Sequence, residues 1–379
     1  MKTQAAIAEK KSGPLRIEEV ELADPGQGEV RVRIEACGIC RSDLHAIDGG
    51  ESVRFPAVLG HEAAGVVDAL GTGVEQLAIG DQVVLSWTPA CGICPACRRG
   101  EVQLCRGLKM SVGLDGPLSW NGRGLDRFMA LGAFCEQVVV PAAMAIPIGG
   151  AVPSTQACLI GCAVMTGFGA ATKTAGVRWG ESVVVVGCGG VGLAAIQGAR
   201  IAGASRIFAT DPVEERRAAA LLAGASDALN ASESTRQVIA ATDGGVDVAI
   251  ECAGKSQAMV DAFNMIRPGG RAVVVGLASL ADSFSIPPIL LLTEKSIKGS
   301  IYGSANPAVD FPKLVALAGQ GRLDLASFVS KTRPLAEVNE GIAEMREGKP
   351  YARGHDLLRS ASRRPFASRR SAPRCLGQQ

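Results

Sequence analysis

Residues 182–204 read SVVVVGCGGVGLAAIQGARIAGA. The four valines are the apolar run of a buried strand, and the alanine-rich stretch after Gly192 has helix-forming composition. Between them, Gly187, Gly189 and Gly192 keep the G-x-G-x-x-G spacing of a dinucleotide-binding turn. Glycines there let the backbone turn sharply and approach a pyrophosphate, whose charge the helix N-terminus stabilises. The next strand, RIFATD, ends on Asp211, 19 residues after Gly192. A carboxylate at that place accepts hydrogen bonds from the adenosine ribose and repels a 2′-phosphate, so NAD is expected over NADP. Asp211 can also serve as N-cap of a helix over residues 212–223, and the two roles are compatible.

Working outward, apolar strands alternate with alanine-rich helices from about residue 164, through VDVAIECAG and RPGGRAVVVGL, with Gly254, Gly269 and Gly270 as turns. This is the pattern of a doubly wound parallel sheet. Residues 1 to about 163 differ, with short alternating segments such as EVRVRIEA (Val30, Val32 and Ile34 on one face), GVVDAL, DQVVLS and EQVVV. A length of 379 residues suits about two domains. A net charge of only +2 gives no basic field for nucleic acid or an anionic membrane surface. The N-terminal MKTQAAIAEKKSG lacks a signal peptide's apolar stretch, and no run of about 18 apolar residues occurs, so a cytoplasmic location is expected. Most of the twelve cysteines are then reduced. Cys37, Cys135, Cys158, Cys188 and Cys252, within apolar runs, read as small buried residues.

Cys91, Cys94, Cys97 and Cys105, in CGICPACRRGEVQLC, form a C-x2-C-x2-C-x7-C cluster. Such short spacings suit one tetrahedral metal better than disulfides, and four protein ligands leave no place for substrate, so a zinc there is structural. The chemistry has to lie elsewhere. Of the three histidines, His45 and His61 fall in the polar, turn-forming stretches CGICRSDLH and LGHEAAG. Cys40, His61 and Cys162 together would make a Cys2His catalytic zinc set with an open fourth position. Spacing alone does not unite them.

The ordered motifs CGICRSDLH, GHEAAG, the four-cysteine lobe, GCAVMTGFGA, VGCGGVG and KGSIYG resemble the zinc-dependent alcohol dehydrogenases of the medium-chain dehydrogenase/reductase superfamily, over residues 1 to about 353. The resemblance implies an α/β protein with a GroES-like β-rich catalytic domain (1–163 and 306–379) and a Rossmann domain (164–305). It implies two zinc ions per chain, one catalytic on Cys40, His61 and Cys162 and one structural on the lobe, together with NAD. Asp43 matches the carboxylate that orients the liganding imidazole, and Glu62 the acid that can approach the metal during ligand exchange. Two thiolates and one imidazole leave the site near neutral, so an alcohol there becomes acidic and its hydride can pass to the nicotinamide. Ser42 and His45 match the relay that carries the alcohol's proton out.

Arg41 matches a pyrophosphate contact, with Arg353 on the other side, although its spacing from Gly348 is not the family's. Thr166 and Val191 are expected near the nicotinamide, with Gly190 in the phosphate turn and Arg216 near the adenosine ribose. Trp87, with Phe134 as a second candidate, narrows the substrate channel and favours flat or slender primary alcohols, including aryl ones. The nearest rival is a thiol-dependent formaldehyde dehydrogenase, but the loop DGGESVRFPAVL lacks the acidic pair associated with that cofactor. A non-catalytic zinc or NAD-binding protein would not need Cys40, His61, Cys162, Ser42 and His45 together. Some bacterial relatives never release their NAD, and the sequence leaves that point open.

The apolar run in SFSIPPILLLTEKSIKGSIYG lies where the family's edge strand joins two subunits, which implies a homodimer, with a tetramer as the alternative. The ending HDLLRSASRRPFASRRSAPRCLGQQ departs from the family. Its arginines and sparse apolar pattern predict a disordered, solvated tail over 355–379, with a translation frame change as one origin and loss of the family's terminal strand as a consequence.

Overall fold

A computed structural model of the chain describes residues 1–50, 53–107, 113–279, 281–347 and 355–359. Six parallel strands form one sheet, in the order Asp227–Leu229, Arg206–Thr210, Ser182–Val186, Val246–Glu251, Ile266–Val274 and Ser296–Gly299. In chain order this is 3-2-1-4-5-6, the doubly wound arrangement, and its crevice opens beyond the carboxyl ends of the first and fourth strands. The valines of the first strand are buried, as a parallel strand covered on both faces requires. Helix Gly190–Ile201 follows directly and is almost wholly buried.

The rest of the described chain builds two further sheets. In one, Glu29–Gly38 is the hub, pairing antiparallel with Glu62–Leu70, Gln137–Pro141 and His355–Arg359. Val30, Val32 and Ile34 are buried on one face, as their alternation predicts. The register Gly38 opposite Glu62 matters most for the site. It places Cys40, just beyond one strand, beside His61, just before the other.

Three expectations need correction. The segment predicted to begin a disordered tail forms strand His355–Arg359, which pairs on one side with Val329–Pro334 and on the other with Glu29–Gly38. Two open strand edges and the burial of Leu358 (3% exposed) outweigh a basic local composition that pointed the other way. The rest of the tail lies outside the described residues, as does Arg353. The apolar run near 289 is not the edge strand, because Pro288–Thr293 forms a 3-10 helix and the sheet ends on Ser296–Gly299. The stretch holding His45 is a helix, Arg41–Ile47, rather than a turn.

Among the described residues no single helix is long and apolar enough to cross a membrane. The bent pair Ser154–Gly161 and Ala163–Thr174 passes on length and composition together, but Ala157, Leu159, Ile160 and Val164 within it are fully buried in the core.

Candidate active site and metal centres

The lobe cysteines converge as their spacing predicts. Their four sulfurs lie within 4.8 Å of one another, with Cys91 and Cys97 3.9 Å apart and Cys94 and Cys105 4.0 Å apart. Zinc–sulfur bonds of about 2.3 Å at tetrahedral angles put sulfurs about 3.8 Å apart, so the set fits one zinc. Cys94 caps the short helix Pro95–Arg98, and the amides of Cys97 and Arg106 bring its thiol down to about 6. The amides of Cys91 and Gly107 donate to the Cys105 sulfur, each at 3.4 Å. Backbone donors thus favour thiolate at Cys94, whereas burial pushes the neighbouring Cys97 thiol up to about 12.

The second donor set comes from three separate elements. Cys40 precedes helix Arg41–Ile47, His61 precedes strand Glu62–Leu70, and Cys162 joins the 3-10 turn Cys158–Gly161 to helix Ala163–Gly169. Donor atoms of Cys40, His61, Glu62 and Cys162 lie within 4.8 Å of one another. Asp43, fully buried, knits the first two together. Its Oδ2 accepts from the Cys40 amide at 3.0 Å, and its Oδ1 accepts from the Gly60 amide at 2.9 Å and lies 3.1 Å from His61 Nδ1. Nδ1 therefore carries a proton, while the buried Nε2 has no partner. Burial pushes the His61 pKa down, but the charges of Asp43 and Cys40 outweigh it and hold the imidazole well above its ordinary value. Sharing a proton with Cys40, together with burial, pushes the Cys162 thiol far up. Two crowded thiols and an orphaned imidazole nitrogen in a dry site are what a bound cation relieves, so this set also fits a zinc. Glu62 Oε1 accepts from the Ala163 amide at 3.0 Å and so ties the His61 strand to the Cys162 helix.

A cleft of about 440 Å³ runs from this set across the carboxyl ends of the parallel strands. Its lining includes Cys40 and Arg41, the turn residues Gly187, Gly189, Gly190 and Val191, and Asp211 with Arg216. Gly187 has φ +94°, and a Cβ on Gly192 would lie 1.9 Å from the Gly187 carbonyl oxygen, so neither admits a side chain. A Cβ on Gly189 would meet nothing, which leaves open space over the helix N-terminus.

Asp211 does not cap a helix from 212. The helix runs Glu214–Ala223 with Val213 at its N-cap, and the Asp211 carboxylate instead accepts from the amides of Cys188 and Val213, each at 2.9 Å. It clips the glycine turn to the second strand, with the Arg216 guanidinium 4.0 Å away.

Ser42 and His45, three apart on one helix, share a face and are half-buried. Thr166 is half-buried one turn past Cys162 and donates its amide to the Cys162 carbonyl, but it is not in the cleft wall. Trp87 and Phe134 are both buried and also lie outside that wall. Cys37, Cys135, Cys158 and Cys188 are buried as expected, whereas Cys252 is half-exposed in the cleft, because it sits just beyond the fourth strand's end. That position was a readable signal. Residues that follow the carboxyl ends of parallel strands face the crevice, and Ala253 and Lys255 belong with it for the same reason. Met345, from helix Val338–Arg346, carries no such signal.

Two family models match the chain: an alcohol dehydrogenase GroES-like domain over residues 26–150 and a zinc-binding dehydrogenase over 190–320. Alcohol dehydrogenase 1 of Pisum sativum is 38% identical, over 92% of this chain and 95% of its own length. The chain belongs to the zinc-dependent alcohol dehydrogenases. An NDMA-dependent alcohol dehydrogenase of Amycolatopsis methanolica is 39% identical, over 92% of this dehydrogenase and 97% of that protein. The crystal structure of benzyl alcohol dehydrogenase from Acinetobacter calcoaceticus superposes with a TM-score of 0.90 at 30% identity, covering 95% and 100% of the two chains. The GroES-like and Rossmann parts expected from the motifs are therefore those of the family, and the protein is a nicotinamide-dependent oxidoreductase acting on alcohols or aldehydes.

Proposed function

We propose that this dehydrogenase interconverts a primary alcohol, aryl or slender alkyl, with its aldehyde, using NAD and two zinc ions per chain. The observation that carries the reading is that Cys40 belongs at once to the donor set it shares with His61, Glu62 and Cys162 and to the wall of the dinucleotide cleft. Reacting alcohol and nicotinamide can therefore meet at one place.

In this reading Cys40, His61 and Cys162 hold the catalytic zinc, and Cys91, Cys94, Cys97 and Cys105 the structural one. The chemistry supplied at the first when it is loaded is Lewis acidity toward the alcohol oxygen, with hydride acceptance by the nicotinamide. Asp43 fixes the tautomer and orientation of His61. Ser42 takes the alcohol's proton in a half-buried setting, and His45, one turn further along the helix, returns it to solvent. The Gly187–Gly192 turn, Gly190 and Arg41 receive the pyrophosphate. Asp211 and Arg216 receive the adenosine ribose, and the carboxylate disfavours a 2′-phosphate. Thr166 and Val191 flank the nicotinamide, Glu62 approaches the metal during ligand exchange, and Trp87 and Phe134 shape the alcohol's channel.

The edge strand Ser296–Gly299 has no neighbour on its outer side among the described residues. In the sequence just before and after it, Phe284, Ile289, Leu292 and Ile301 are exposed, Leu292 by 78%. An open edge flanked by apolar side chains supports a homodimer joined there. A cytoplasmic location completes the reading.

The test is absorbance at 340 nm when zinc-replete protein meets NAD and a panel of linear, branched and aryl primary alcohols, with and without an artificial electron acceptor. Steady NADH formation is the expected result. Turnover only with the acceptor would mean that the cofactor stays bound. Turnover only of formaldehyde with a thiol would replace the alcohol reading by the thiol-dependent one.

A further inference from the structure

Tyr302 stands where three parts of the site meet. It follows the edge strand Ser296–Gly299, is 2% exposed, and stacks on Trp87 with ring centroids 3.9 Å apart and planes 27° apart. Phe311 meets its ring edge-on at 6.3 Å. Its hydroxyl donates to the carbonyl of Gly161, the residue before Cys162, from 141 positions away in sequence.

Cys162 needs such help. Its backbone is irregular (φ −145°, ψ −79°), and its amide reaches the Leu159 carbonyl only at 3.4 Å. On the far side, the Ala163 amide is held by Glu62 Oε1. The peptides on either side of the cysteine are thus each held by a side chain from a distant element, Glu62 behind and Tyr302 in front.

The backbone around Tyr302 shows the same purpose. Tyr302, Gly303 and Ser304 all have positive φ, at +55°, +63° and +56°, a conformation that a bulky residue adopts only where its surroundings impose it. A Cβ on Gly303 would lie 2.5 Å from the Met165 carbonyl oxygen and 2.7 Å from that of Thr166, so this turn is pressed against the helix that begins after Cys162. The strained turn delivers the phenol to the Gly161 carbonyl, with the Ser86 hydroxyl and the Trp87 backbone also beside it. Burial pushes that phenol's pKa well above its ordinary value, so it stays a donor.

We propose that Tyr302 is a positioning residue for the catalytic metal site, fixing the Cys162 sulfur through the Gly161 carbonyl while its ring stacks on Trp87. The proposal rests on the assignment of Cys40, His61 and Cys162 as metal ligands.

Cobalt placed in the catalytic site reads the geometry directly, through its sulfur charge-transfer and d–d absorption bands. Tyr302→Phe keeps the stack and removes only the hydroxyl. The expected result is a displaced d–d envelope and a fall in kcat of about tenfold, with the KM for NAD unchanged. Phe311→Leu loosens the packing around the same ring without touching the hydroxyl, and its spectrum should match the parent's. An unchanged Tyr302→Phe spectrum would overturn the proposal, as would a Phe311→Leu spectrum displaced as far as that of Tyr302→Phe. Absence of sulfur charge-transfer bands from the parent itself would instead refute the ligand assignment on which the proposal rests.

Discussion

The two cysteine-rich regions are built in opposite ways. The lobe draws four sulfurs from 15 consecutive residues, with Cys91 exposed and only Cys105 fully buried. The second set draws on three elements spread over about 120 residues, with His61 and Glu62 fully shielded from solvent. A local loop that binds a metal with all four positions filled can only stabilise, whereas a distributed set that leaves a position open can react. On the proposed assignment closure and locality go together, and so do openness and dependence on the whole fold.

The largest effect expected is at the open set. Cys40→Ser should lower kcat/KM by about 10³-fold or more, since a Lewis acid contributes several kcal/mol to the barrier. Circular dichroism and thermal melting should stay close to those of the parent. Cys97→Ser should do the reverse, lowering the melting temperature by about 4 °C, the shift that a loss of ~3 kcal/mol produces in a chain this large. Activity per folded molecule should survive. If Cys40→Ser melts early and Cys97→Ser is merely inactive, the contrast between the regions is wrong.

Asp43→Asn probes a smaller step, since it keeps the shape of the side chain that joins Cys40, Gly60 and His61 but removes its charge. A loss of 10- to 100-fold in metal affinity or turnover is expected, measured by competition with a chromophoric chelator. The smallest effect lies away from both regions. Glu181 pairs with Arg271 at 2.6 Å, and hydrogen bonding from that guanidinium holds its pKa below the ordinary value. A carboxylate with a depressed folded pKa adds stability above its unfolded pKa and loses it as the pH falls through the folded value. Glu181→Gln should therefore cost under about 1 kcal/mol at pH 7 and nothing in strong acid, as denaturant melts at several pH values would show.

Legibility followed the same division. The lobe could be read from spacing, and the glycine turn from spacing plus its flanking strand and helix, because in both the chemistry is contiguous. Cys40, His61 and Cys162 became a set only through family resemblance. Their proximity depends on the antiparallel register that sets Gly38 opposite Glu62, and a local pattern does not encode register. Tyr302 was invisible for the same reason, since its partner carbonyl is 141 residues distant. Strand His355–Arg359 was misread because local composition outvoted a long-range pairing that only the assembled sheet reveals.

The most direct test follows zinc content and alcohol-dependent NADH formation together while a bidentate chelator is added in small steps. Two zinc ions per chain are expected, with activity falling to zero as the first leaves and the second retained until the chain unfolds. Full activity after the first ion has gone, or a single ion whose loss removes activity and fold at once, would contradict that expectation.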